Sequence, residues 1–162
     1  MTDSRRPPHE NPVLVRLDRL VGAWEMDASM GGQPRGRALV TFELLDGGAF
    51  IHQHVEAAPV DFEIPAEWAA NSPFPIDAVI GLDLRTETFY YLYSDARGVY
   101  RVYQMSLDGD GWRIWGQSAP DFYQRFEGTF SADGRSIGGR WERSGDGSAW
   151  EIDFEVTYTK TG

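Results

Sequence analysis

The chain has 162 residues, a formal charge of −10, 14% aromatic residues and no cysteine. That length fits one domain, by the rough guide of about 100–200 residues each, and is enough to bury a core without disulfide or metal staples. The lack of thiols excludes cysteine nucleophiles, disulfides and zinc–thiolate sites, and the acidic balance argues against a nucleic-acid partner.

Residues 1–10 are polar and proline-bearing, which predicts a disordered tail with no secretory apolar stretch. Asn11-Pro12 then supplies a helix N-cap and a proline suited to the first turn. Val13, Leu14, Leu17, Leu20 and Val21 recur at helical spacing, so a helix is expected over 12–21, stopped by Gly22 and laid across one mouth of a barrel. No apolar run approaches the ~20 residues of a membrane span, and a cytoplasmic protein with no membrane partner is expected.

From Trp24 onward the period switches to two. Trp24, Met26 and Ala28 alternate with charged or polar residues, as do Ala38, Val40, Phe42 and Leu44. Residues 50–56 form a third strand, and further strands are predicted over 76–84, 87–95, 98–107, 111–117, 121–130, 135–144 and 148–159. Gly/Asp turns such as Asp110-Gly111 and Asp133-Gly134 join them. In the last strand Trp150, Ile152, Phe154, Val156 and Tyr158 share one predicted face, with Glu151, Asp153, Glu155 and Thr157 opposite. The pattern predicts an all-β fold: a single up-and-down antiparallel barrel of about ten strands with a short N-terminal capping helix, one domain over 11–162. Only 59–75 breaks the rhythm, with four prolines and no strand period. Loops of that length are often functional. It is a candidate lid, with one helical turn from Pro65 to Ala70 that projects Trp68, or else a loop folded back on apolar barrel surface.

The stretch Leu17 to Trp24, which contains Gly22-Ala23-Trp24, and the turn LLDGGAFI at 44–51 resemble calycin-like barrels, a superfamily that includes lipocalins, fatty-acid-binding proteins and nitrobindins. The late-strand aromatics Trp141, Trp150 and Tyr158 fit the same resemblance, which spans 12–160 and is closest to bacterial calycin-like proteins. It implies an internal cavity open at one end, with the Gly-x-Trp tryptophan plugging the other. Two departures follow. Nitrobindin-type proteins ligate haem iron through a late histidine, and this chain has none after His54. Lipocalins pack a late arginine on that tryptophan, where the last strand here offers only Lys160.

Two clusters are candidate sites. His52, His54 and Glu56 share one strand face, so the imidazoles stand about 7 Å apart along the strand. They are candidate ligand-binding or acid/base residues on a cavity wall, or else outer-surface residues. Glu56 stands about 13 Å along the strand from His52, no third ligand is evident, and no stoichiometric metal is expected. Tyr91 and Tyr93 share a face of one strand, and Arg101 and Tyr103 a face of the next. An arginine flanked by phenols is a clamp for a carboxylate or enolate, or, if it faces solvent, a rim residue. Fatty-acid-binding barrels, by resemblance, use an Arg-x-Tyr of this kind nearer the C-terminus. Gln124 and Arg125 lie on opposite faces, so only one can join the cavity. Trp112, Trp115, Trp141 and Trp150 read as core.

The chain carries no nucleophile elbow, phosphate-cradling loop or dinucleotide fingerprint. The reading that follows is a barrel that binds a small, mostly apolar and possibly acidic molecule through His52, His54, Trp68, Tyr91, Tyr93, Arg101, Tyr103 and Gln124, with no cofactor. The alternatives are a cofactor-free cyclase or isomerase using His52 or His54 as acid/base in the same cavity, and a haem or metal barrel.

Overall fold

The structure is a computed structural model and describes residues 11–162; the expected disordered tail at 1–10 lies outside the described residues. The alternating segments form ten antiparallel strands: β1 (Gly22–Met30), β2 (Gln33–Leu44), β3 (Phe50–Ala57), β4 (Ile76–Asp83), β5 (Thr88–Asp95), β6 (Tyr100–Asp108), β7 (Gly111–Ala119), β8 (Phe122–Phe130), β9 (Ser136–Ser144) and β10 (Glu151–Lys160). Each strand pairs with its sequence neighbours, and β10 closes on β1 through pairs from Trp24↔Lys160 to Ser29↔Glu155. Closure leaves no unpaired strand edge. Among the described residues no helix is long and apolar enough to cross a membrane.

The capping element is shorter and tighter than the expected helix over 12–21. It is a 3-10 helix, Leu14–Arg19. The N-cap position falls on Val13 rather than on Asn11, and Asn11 supports the turn before the helix, its Oδ1 accepting from the Val13 and Leu14 amides at 2.9 and 3.3 Å. Leu14, Leu17 and Leu20 are buried. Arg16 and Arg19 lash the other side to the β6–β7 turn, reaching Asp108 at 2.9 Å and Asp110 at 3.2 Å.

Beneath this cap one end of the barrel is packed solid. Trp24, Phe42, Trp112 and Phe126 are fully buried, with Trp112 edge-on to Phe126 at a centroid distance of 5.0 Å. Removing a ring of this kind costs about 3–5 kcal/mol. The Trp24 indole N–H donates to Leu20 O at 2.8 Å, tying plug to cap. Lys160 sits over the Trp24 ring, its Nζ 5.4 Å from the centroid.

The last strand departs from its predicted faces. Its pairing with β9 slips between Ile152 and Phe154. The resulting bulge turns Ile152 out to 51% exposure and brings both Asp153 and Phe154 to the cavity side. Alternation resumes with Val156 and Tyr158 buried.

Candidate functional site

The other end of the barrel is hollow, enclosing a cavity of about 680 Å³. That volume lies within the usual range for small-molecule sites. Tyr91, Tyr93, Arg101, Tyr103, Gln124 and Trp68 all line it, and the sheet register explains why. Tyr91 pairs with Tyr103, and Tyr93 with Arg101. Gln124 pairs with Gly116 of β7, and the Tyr103 ring lies against that glycine from the other side.

Arg101 Nη1 donates to Gln124 Oε1 at 2.7 Å, and the Tyr103 hydroxyl donates to the same oxygen at 2.6 Å. Its guanidinium also stacks 5.2 Å from the Phe122 centroid. Among the described residues Arg101 has no carboxylate in ion-pair contact. Burial pushes the Tyr91 and Tyr103 hydroxyls above their ordinary value, with Arg101 opposing the rise at Tyr103. Tyr93 is raised in the same way by burial and by its bond to Asp95. All three phenols therefore stay protonated and able to donate near neutral pH.

The 58–75 connection borders the mouth. Its single helical turn is α1, Ala66–Ala70, close to the predicted turn. Trp68 projects from it edge-on against Phe154 at 5.5 Å, and both rings face the cavity. The Ala96 amide, accepted by Pro73 O and Pro75 O at 3.1 Å each, ties the loop to the β5–β6 turn.

The histidines are elsewhere. Ile51, Gln53 and Val55 are the buried residues of β3, so His52 and His54 project from the outer face rather than the cavity wall. The physical reason is the hydrophobic set: Ile51 and Val55 claim the interior, and a period of two sends the residues between them outward. Gln53 takes the inward position and accepts a hydrogen bond from the Tyr91 hydroxyl. The expectation that the histidines lack a third ligand is also corrected. Strand pairing places Asp77 of β4 opposite His54, in contact with both imidazoles.

Of the Gln124/Arg125 pair, Gln124 faces in, while Arg125 points out to Glu142 at 3.1 Å and stacks on Trp150 at 4.0 Å. The four tryptophans divide as well. Trp112 is core, Trp141 lines the cavity beside Tyr103 at 5.9 Å, Trp115 is 39% exposed and Trp150 lies under Arg125. Asp153, brought in by the bulge, has its carboxyl pushed up by burial, with Arg143 opposing. A single-strand alternation gives no signal for it.

No family model and no curated protein matches the chain. Among solved structures, the crystal structure of Rv2717c from M. tuberculosis is similar, with a TM-score of 0.59 over 93% of this chain and 98% of that one. At 15% identity the likeness is one of fold, a barrel of the same kind.

Proposed function

We propose that this barrel binds a small, mostly apolar molecule bearing an acidic group, held in the open half of a calycin-like cavity. The observation that carries the reading is Arg101, a cavity cation whose partners among the described residues are both neutral, Gln124 and Tyr103. A guanidinium removed from bulk water gains most from a charged acceptor. The wider lining supports this choice. In a chain of charge −10, five cavity-lining side chains are arginines against two carboxylates, Glu67 and Asp153. Arg37 and Arg97 are already engaged by Asp27 and Asp95, and Arg143 by Glu151.

Aromatic walls from Tyr91, Tyr103, Trp141 and Phe154 suit the apolar body of such a ligand. The segment carrying Trp68 acts as the lid. Histidine acid/base catalysis in this cavity is disfavoured, because both imidazoles project from the other face of the sheet.

The test is a fluorescence titration with 1-anilinonaphthalene-8-sulfonate, which joins aromatic rings to one anionic group. Saturable binding is expected, weakened by Arg101→Leu at least about tenfold, the loss of about 1.4 kcal/mol or more that a charge-assisted hydrogen bond supplies. Equal affinity in the two proteins, or no saturable binding, overturns the reading. Native mass spectrometry of the protein as purified identifies any ligand carried through.

A further inference from the structure

The outer face of β3 and β4 carries a cluster that the cavity does not use. His54 stands opposite Asp77 in the register, and His52 lies one diagonal step away, opposite Val79. His52 Nε2 and His54 Nδ1 each approach the same atom, Asp77 Oδ1, at 2.8 Å. One ligand atom from each residue lies within 4.8 Å of the others. Around a tetrahedral metal with bonds of about 2.0–2.1 Å, ligand atoms sit roughly 3.3 Å apart. Both imidazole nitrogens lie at hydrogen-bond distance from the one carboxylate oxygen, so a metal entering between them needs each contact to open by about 0.5 Å.

The orientation of His54 adds a second, independent sign. Its other nitrogen, Nε2, lies 3.0 Å from Glu56 Oε1. A metal-ligating histidine characteristically donates its remote N–H to a carboxylate, which fixes the tautomer and ring angle. Without a metal, an imidazolium at His54 can donate to both carboxylates, from Nδ1 to Asp77 at 2.8 Å and from Nε2 to Glu56 at 3.0 Å. A metal that displaces the Nδ1 proton takes its place against Asp77, while Glu56 keeps the Nε2 proton.

We propose that His52 Nε2, His54 Nδ1 and Asp77 Oδ1 form a binding site for a divalent transition metal of the zinc class, with Glu56 as its positioning carboxylate. Two imidazoles and one carboxylate are a donor set that suits zinc, copper or nickel better than calcium or magnesium. The site is open to solvent, so water completes the coordination shell. It is separated from the cavity by the sheet itself and stands whether or not the cavity binds an acid.

Isothermal titration of the untagged full-length protein with zinc chloride tests it, with cobalt(II) as a spectroscopic substitute. One saturable site per chain is expected, with the strong visible absorption of four-coordinate cobalt. His54→Ala and Asp77→Asn each abolish the saturable isotherm, and Glu56→Gln weakens it about 10–100-fold. His9→Ala, which removes the one other histidine, leaves it unchanged. All the altered side chains on β3 and β4 are at least one-third exposed, and far-ultraviolet circular dichroism checks that each variant stays folded. No saturable binding, or binding that survives both His54→Ala and Asp77→Asn, overturns the proposal.

Discussion

Tyr103 and Gln124 stand two strands apart and still touch, the phenol donating to the amide oxygen at 2.6 Å. Adjacent strands are spaced about 4.8 Å apart, so a side chain at the inward position between them would block the contact. That position is Gly116 of β7, paired with Gln124 on β8 and beside the Tyr103 ring of β6. The glycine leaves the space through which Arg101, Tyr103 and Gln124 join as one polar group.

Gly116→Ala therefore tests the polar group without substituting any of its members. A Cβ there meets the Tyr103 ring at 2.9 Å and Val102 O at 3.2 Å, so the ring must turn aside. The expected result is loss of the Tyr103–Gln124 bond and several-fold weaker binding of the anionic probe, matching about 1 kcal/mol for one hydrogen bond. Probe titration alongside thermal unfolding separates this from general damage. Unchanged affinity removes the polar group from the binding account.

Asp95 sets an acid-side dependence. Its side chain is out of solvent and accepts from Tyr93 Oη at 2.7 Å, Arg97 Nη2 at 2.6 Å and the Arg97 amide at 2.8 Å. Burial alone would raise the carboxyl, but these donors outweigh it and hold it down at about 2. Because the folded value lies below the unfolded one of about 3.9, the stabilisation is fully present above about pH 4. It disappears as pH falls through about 2, and amounts to roughly 2 kcal/mol at neutral pH. Denaturant unfolding of wild type and Asp95→Asn should show a gap of that order at pH 7 that narrows steadily between pH 4 and pH 2. A gap independent of pH contradicts this origin.

How far the sequence could be read depended on what decides the orientation of each strand. Turn residues and the two-residue period were sufficient for ten strands and a closed barrel, because each reports on local backbone geometry. Arg101, Tyr103 and Tyr91 could be placed together from the same signals, since a short hairpin fixes the β5–β6 register. The face of His52 and His54 is set by Ile51 and Val55, whose burial sends the residues between them outward, and a polar pattern on its own does not distinguish a cavity wall from an outer surface. Asp153 and Phe154 on one face required a bulge, which depends on the β9 partner and leaves no mark in β10 alone. Asp77 as a neighbour of His54 depended on the β3–β4 pairing across a long connection, whose register no turn motif specifies.

Trp68→Ala probes the mouth. No residue of α1 is buried, and the indole contributes an edge-on contact to Phe154 rather than to the packed end of the barrel. Faster probe release in stopped flow is expected, with the melting temperature nearly unchanged. An unaltered release rate would remove Trp68 from any lid, and a large fall in melting temperature would make it a structural residue.

Gly138 and Gly139 are sequence neighbours with opposite expectations. At Gly138 a Cβ meets nothing within 4 Å, so Gly138→Ala is tolerated and gains slightly, by about 0.4–1 kcal/mol, from a less flexible unfolded chain. At Gly139 the added Cβ lies 2.6 Å from Glu127 O and 2.7 Å from the Phe126 ring. The first of these atoms belongs to the backbone of β8 and cannot swing away; the second is a fully buried ring pressed on Trp112 and on Trp141, at 5.0 and 5.4 Å. Overpacking of this kind costs about 1–3 kcal/mol, a fall of roughly 2–12 °C in melting temperature at this chain length. Gly139→Ala should therefore melt well below Gly138→Ala in the same buffer. Equal melting temperatures would mean that Phe126 does not rest on the β9 backbone as the packed end of the barrel requires.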